Sequence, residues 1–210
     1  MLNIKNGIFI IFTCIAMVLS GCNQSSAKLS PLNPQDIILA FGDSLTYGTG
    51  APPEASYPLV LAGKAKLNVV NAGVPGEETS GGLIRISDEL QKYNPKLVIL
   101  CLGGNDLIHR TPDETIKSNL LQIINIIKKS GAQVLLIAVP RFNFGLEVPD
   151  FYNELANETS IPVDDNILVT LEKIPAFKSD YIHFNLVGYK KMADAIYDDL
   201  KKYGALEIKN

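Results

Sequence analysis

The sequence predicts an α/β protein: a three-layer α/β/α sandwich of flavodoxin-like type with about five parallel strands. Three observations carry this. Short, unbroken apolar runs recur along the chain, as in Ile37-Ile38-Leu39-Ala40-Phe41 and Leu97-Val98-Ile99-Leu100-Cys101-Leu102. Strands covered on both faces read this way. Between the runs lie longer segments with apolar residues at helical spacing. The two patterns alternate, which calls for crossover connections and a parallel sheet with helices on both sides.

The candidate strands are residues 37–41, 68–71, 97–102, 133–139 and, shortest, 161–163. Helices are expected over 56–66 and 79–93. The third has the clearest signals. Thr111-Pro112-Asp113-Glu114 supplies an N-cap threonine, a proline at the first position and a capping-box acid. Ile116, Leu120, Ile123, Ile124 and Ile127 then form one apolar stripe, and Gly131 follows the end. A shorter helix is expected over 149–159. The last runs over 186–203, with Tyr189, Met192, Ile196, Leu200 and Tyr203 on one face and Gly204 after it.

The first 21 residues have the makeup of a targeting segment. Lys5 is a short positive region, and residues 8–19 are an apolar stretch of signal-peptide length. A standard transmembrane helix needs ~20 apolar residues. Leu19-Ser20-Gly21-Cys22 closes the segment and resembles the bacterial lipobox, whose cysteine takes a diacylglyceryl thioether and becomes the mature N-terminus. The expected organisation is a lipoprotein signal peptide over 1–21, a lipidated Cys22 with a flexible tether over 22–34, and one domain over 35–210. Such a protein sits at the cell envelope, anchored in a membrane and facing the periplasm or the exterior. The cysteines agree. Cys14 leaves with the leader, Cys22 carries lipid, and Cys101 stays alone in a strand as a small buried hydrophobe. A net charge of −3 without basic clusters argues against nucleic acid as a partner. No His/Cys/Glu cluster has metal-ligand spacing.

Gly42-Asp43-Ser44 ends the first strand, so Ser44 is raised at the carboxyl edge of the sheet, where open α/β folds bind ligands. Far downstream, Asp180-Tyr181-Ile182-His183 places an acid and a base three residues apart. A serine hydroxyl is a poor nucleophile until a base takes its proton, and a carboxylate on the base's other nitrogen fixes the tautomer. Two further loops leave strand ends: Asn71-Ala72-Gly73-Val74-Pro75-Gly76-Glu77 and Gly103-Gly104-Asn105-Asp106. Each segment alone is an ordinary turn or cap. All four together point to a serine hydrolase.

These four blocks, in this order and spacing, resemble the SGNH hydrolases, also called the GDSL family. The resemblance runs from Ile37 to the last helix and is to the small bacterial esterases that include arylesterases, lysophospholipase L1 and acyl-CoA thioesterase I. It implies Ser44 as nucleophile, His183 as base and Asp180 as its partner. It implies an oxyanion hole built from the N–H groups of Ser44 and Gly76 and the side-chain amide of Asn105, with Gly73 available nearby as an alternative to Gly76. Phe184 departs from the pattern, since proline often follows the histidine. The implied activity is hydrolysis of small acyl or aryl esters, lysophospholipid or acyl thioesters through an acyl-enzyme on Ser44, with no cofactor and no metal. A rival on the same machinery is a carbohydrate or peptidoglycan O-acetylesterase. A rival without turnover is an envelope binding lipoprotein, which would lack a nucleophile, base or oxyanion donor, and none is missing.

Apolar residues crowd the same loops: Leu107 and Ile108, then Phe142, Phe144 and Leu146, then Tyr181, Ile182 and Phe184. They are expected either to line an acyl-chain groove or to pack as the loops' own cores. His109 has no carboxylate at a matching spacing and is expected to line the cleft or face solvent. Asp43 is expected to bond backbone N–H groups rather than to orient the base. Asp164 and Asp165 have a poorer spacing to the base than Asp180.

Overall fold

A computed structural model describes residues 27–142 and 145–207. The expected leader, Cys22 and Phe144 lie outside the described residues. Five strands, β1 (Ile37–Gly42), β2 (Asn68–Gly73), β3 (Leu97–Cys101), β4 (Gln133–Ile137) and β5 (Val163–Asp164), form one parallel sheet in the order β2-β1-β3-β4-β5. This is the flavodoxin-like order. Gly42 stands beside both Gly73 and Cys101, so the loops after β1, β2 and β3 leave the sheet at one level.

Eight α-helices occur among the described residues, six between strands and two after β5: α1 (Ser44–Tyr47), α2 (Tyr57–Ala65), α3 (Thr79–Tyr93), α4 (Gly104–Ile108), α5 (Asp113–Lys129), α6 (Phe151–Thr159), α7 (Ile167–Glu172) and α8 (Leu186–Lys202). From β1 the chain steps outward to β2, then back across β1 to β3. Right-handed crossovers in opposite directions send α2 and α3 to opposite faces. On one face α8 packs on α2; on the other, α5 packs on α3 and α6 on α5.

Ile38 to Phe41 and Leu97 to Leu102 are buried, as are the five apolar stripe residues of α5. Each such aliphatic side chain contributes about 1.5–3 kcal/mol when withdrawn from water. On α8, Tyr189, Met192, Ile196 and Leu200 are buried, while Tyr203 is half-buried and donates its hydroxyl to Val163 O at 2.9 Å.

Several expected boundaries move. Pro112, not Thr111, occupies the N-cap of α5, with ψ 136° and no side-chain cap bond. A residue before proline is pushed toward extended backbone, which takes Thr111 out of the helix start. Asp113 and Glu114 still face the positive end of the helix dipole. The last strand covers Val163–Asp164 instead of 161–163, because Pro162 has no N–H to give the ladder. Helices α1, α4 and α7 were not expected. Part of the segment expected as a tether packs on the domain. Leu29 is buried, and the N–H groups of Leu29 and Leu32 donate to Tyr203 O (2.8 Å) and Ala205 O (2.9 Å). Residues 29–34 are therefore latched to the domain rather than free, and the domain starts before residue 35.

Candidate active site

The turn after β1 is fixed by close approach. A Cβ on Gly42 would lie 2.0 Å from Cys101 O and 2.5 Å from Thr46 Oγ1, so only glycine fits between the strand ends. Asp43 caps α1, its Oδ1 accepting the Leu45 N–H at 3.0 Å, as expected of it. Ser44 opens the helix. Its Oγ is 3.0 Å from His183 Nε2, and His183 Nδ1 is 2.8 Å from Asp180 Oδ2. The other oxygen of Asp180 accepts the N–H groups of Ile182 (2.8 Å) and His183 (2.7 Å). With the Nδ1 proton donated to Asp180, Nε2 is left to accept the serine hydroxyl.

The two aspartates shift in opposite directions. Burial pushes the Asp43 carboxyl up to about 7, against the Leu45 N–H and His183, which favour the anion. Burial works upward on Asp180 too, but its side chain is half exposed and its bonds to the His183 N–H, the His183 ring and the Ile182 N–H prevail, holding it down at about 2.

Asn105 lies in the first turn of α4. Its amide nitrogen donates to Glu77 O at 3.0 Å and stands 3.4 Å from Asp43 Oδ2. The two nearby glycines differ. The Gly73 N–H is taken by Asn71 Oδ1 at 3.0 Å, and a Cβ there would lie 2.1 Å from Tyr47 N. Gly76 has φ +79°, and its N–H has no partner among the described residues. The Asn105 loop is pinned by Asp106, which is buried and accepts the N–H (2.8 Å) and hydroxyl (2.7 Å) of Thr79 at the start of α3. Sequence reasoning missed this tie; its only trace is a threonine at a helix start and an aspartate 27 residues on.

Leu107, Ile108, Arg110, Arg141, Phe142, Tyr181 and Ile182 line a cleft of about 540 Å³ between the end of α4 and the loop of His183. Leu146 lines a neighbouring hollow with Phe142 and Tyr181. Phe184 does not belong to either. It is buried, with its ring edge-on to Tyr189 at 5.6 Å between centroids, so it is core. His109 does have a carboxylate partner, contrary to expectation: its Nδ1 is 2.6 Å from Glu78 Oε1, at the exposed rim. Asp164 accepts backbone N–H groups of Asn166 and Ile167, and Asp165 accepts from Asn153, so neither serves His183. The Cys101 thiol is buried, and burial pushes its pKa up.

An imidazole with a serine hydroxyl on one nitrogen and a carboxylate on the other, set at the carboxyl edge of a parallel sheet, defines a serine hydrolase. Residues 40–191 match the GDSL-like Lipase/Acylhydrolase family, and the chain belongs to that family. It is 34% identical over 153 residues to the arylesterase of Vibrio mimicus, an alignment spanning 70% of each chain. It is 32% identical over 136 residues to thioesterase 1/protease 1/lysophospholipase L1 of Escherichia coli K12, spanning 61% of this chain and 65% of that one. Its fold matches the psychrotrophic esterase EstA from Pseudoalteromonas sp. with a TM-score of 0.71, at 22% identity, over 80% of this chain and 98% of that one.

Proposed function

We propose that the protein is a serine esterase that hydrolyses carboxylic esters or thioesters through an acyl-enzyme on Ser44. The observation that carries this is the unbroken relay from Ser44 Oγ to His183 Nε2 (3.0 Å) and from His183 Nδ1 to Asp180 (2.8 Å). His183 takes the hydroxyl proton as Oγ attacks the carbonyl carbon. Asp180, ionised at any pH near neutrality, stabilises the imidazolium that results. The carbonyl oxygen becomes an anion and is met by the N–H groups of Ser44 and Gly76 and the amide of Asn105. The Gly76 N–H is free for this without reorganisation, whereas the Asn105 amide must give up its long contact with Asp43. His183 then hands the proton to the leaving alcohol or thiol, and water repeats the sequence to free the serine. The apolar cleft beside Ile182 takes the acyl chain of a small ester or lipid. The names of the arylesterase and thioesterase/lysophospholipase relatives support this reading. The test is labelling by a serine-directed phosphonate together with turnover of p-nitrophenyl esters. Labelling and turnover are expected in the wild type and lost in Ser44→Ala; a folded Ser44→Ala protein that keeps both would overturn the reading.

We also propose that Cys22 carries lipid and holds the enzyme at the cell envelope. Leu19-Ser20-Gly21-Cys22 after the apolar stretch supports this. Cys22→Ala should release soluble protein or leave the precursor uncleaved. A mature-sized variant that stays in the membrane fraction would refute the anchor.

A further inference from the structure

The loop that carries Asp180 and His183 is a short lariat. Its neck is closed by an antiparallel bridge between Lys178 and Phe184, and the Ser179 N–H donates to His183 O at 3.0 Å. At its neck, Lys178 forms an ion pair with the end of α7 that the relay does not explain. Lys178 and Glu172 form a salt bridge with side-chain exposures of only 13% and 4%, and Glu172 Oε1 is buried without a hydrogen-bond partner. Burial pushes the Glu172 carboxyl up, against the pull of Lys178. Taking such a pair out of water is costly, and apolar residues of the same size serve stability as well or better. The pair therefore calls for a role that packing cannot fill.

Lys178 also donates from Nζ to Ile182 O at 2.8 Å. That carbonyl belongs to the same peptide unit as the His183 N–H, which donates to Asp180 Oδ1 at 2.7 Å. One peptide plane is thus gripped on its oxygen by an ammonium and on its hydrogen by the carboxylate that orients the base. Hydrogen bonds in series polarise one another, so a cation on the oxygen strengthens the N–H on the other side. We infer that Lys178, held by Glu172, is a positioning residue for catalysis: through the Ile182–His183 peptide it fixes Asp180, and through Asp180 the His183 ring. The relay then runs Glu172, Lys178, peptide, Asp180, His183, Ser44. This rests on the proposed roles of Ser44, His183 and Asp180.

The test uses the double variant Lys178→Met/Glu172→Gln, which removes both charges and leaves neither buried alone. Its kcat for a p-nitrophenyl ester should fall by about 10-fold or more, with KM changed less than about 2-fold. The acid limb of its kcat/KM profile should move, and the downfield proton resonance of His183 Nδ1–H should shift or broaden. A double variant that melts like the wild type and keeps kcat, profile and resonance overturns the inference. If the double variant does not fold, Glu172→Gln alone decides. It keeps the side-chain shape and the Lys178–Ile182 bond, and should lower kcat about 3-fold with the same shift of profile; an unchanged kcat and profile overturn the inference. Ser44→Ala separates the two levels. An active Ser44→Ala defeats the proposed mechanism itself, whereas an inactive Ser44→Ala beside fully active Lys178 and Glu172 variants defeats only the positioning role.

Discussion

The turn that carries Ser44 and the loop that carries His183 meet at one hydrogen bond, yet they are held in different ways. The serine turn is built by crowding. Gly42 lies against Cys101 O, Gly73 lies under Tyr47, and Asp43 is buried with its carboxyl pushed up to about 7. The histidine loop is built by polar bonds at the surface. Asp180 is half exposed, held down at about 2, and bonded to three donors of its own loop. A crowded turn tolerates changes of charge better than changes of volume, and a bonded loop the reverse. The two halves of the site should therefore fail differently.

The sharpest break is at the shared bond. Ser44→Ala and His183→Ala should each lower kcat/KM on the order of 10⁴-fold or more, and the double variant should be little worse, because the residues act as a unit. Losses that add in free energy would mean that the two halves work separately. Next in size is Asn105→Ala, expected to lower kcat by ~10²-fold with little change in KM, since the oxyanion it meets exists mainly in the transition state. A raised KM with unchanged kcat would make it a residue for binding alone. On the serine side, Gly42→Ala should reduce stability by about 1–3 kcal/mol or more in urea titrations, because its Cβ would strike Cys101 O. An unchanged midpoint would show that β1 and β3 can part without penalty.

The two carboxylates sharpen the contrast through pH. Asp43 binds its proton more tightly folded than unfolded, about 7 against 3.8. Its contribution to stability is full below about 4 and is lost as pH rises through 7. Asp199, also raised by burial and by Asp164, acts in the same direction. Asp180 has the opposite sign. Its contribution is present above about 4 and is lost as pH falls toward 2. Urea midpoints at pH 5 and pH 8 should differ less in Asp43→Asn than in the wild type; an equal difference would show that Asp43 is not the group responsible. The smallest effect is expected in the cleft. Ile108→Ser should reduce by a few-fold any preference for medium over acetyl chains, since ~0.8 kcal/mol per CH₂ is available only with full burial. A chain-length profile that does not change would move the groove elsewhere.

The contrast also explains what could be read from the sequence. The strands and the α5 and α8 stripes are periodic, and periodicity is local, so they were legible. Ser44, Asn105, Asp180 and His183 stood out because each follows a strand end or precedes a helix, in four blocks whose joint order is informative. Partners brought together by the fold left no such trace. Glu78 meets His109 across 31 residues, and Asp106 meets Thr79 across 27. Helices α1 and α4 are too short to show a period and owe their shape to the loops that they cap. For Phe184 the sequence left lining and loop core equally open, since it neighbours the base, and the side chain turns inward to Tyr189.

The N-terminal latch sets where the chain leaves the domain. Asn185, two residues after His183, caps the start of α8, and Leu29 is tied to Tyr203 at its far end. A helix of 17 residues is ~25 Å long, so the chain leaves the domain at the pole opposite Ser44. The seven residues from Cys22 to Leu29 span at most ~25 Å even when fully drawn out. The chain's N-terminal exit and the Ser44 edge of the sheet are thus opposite ends of one domain, and a short handle placed at that exit leaves the site uncovered.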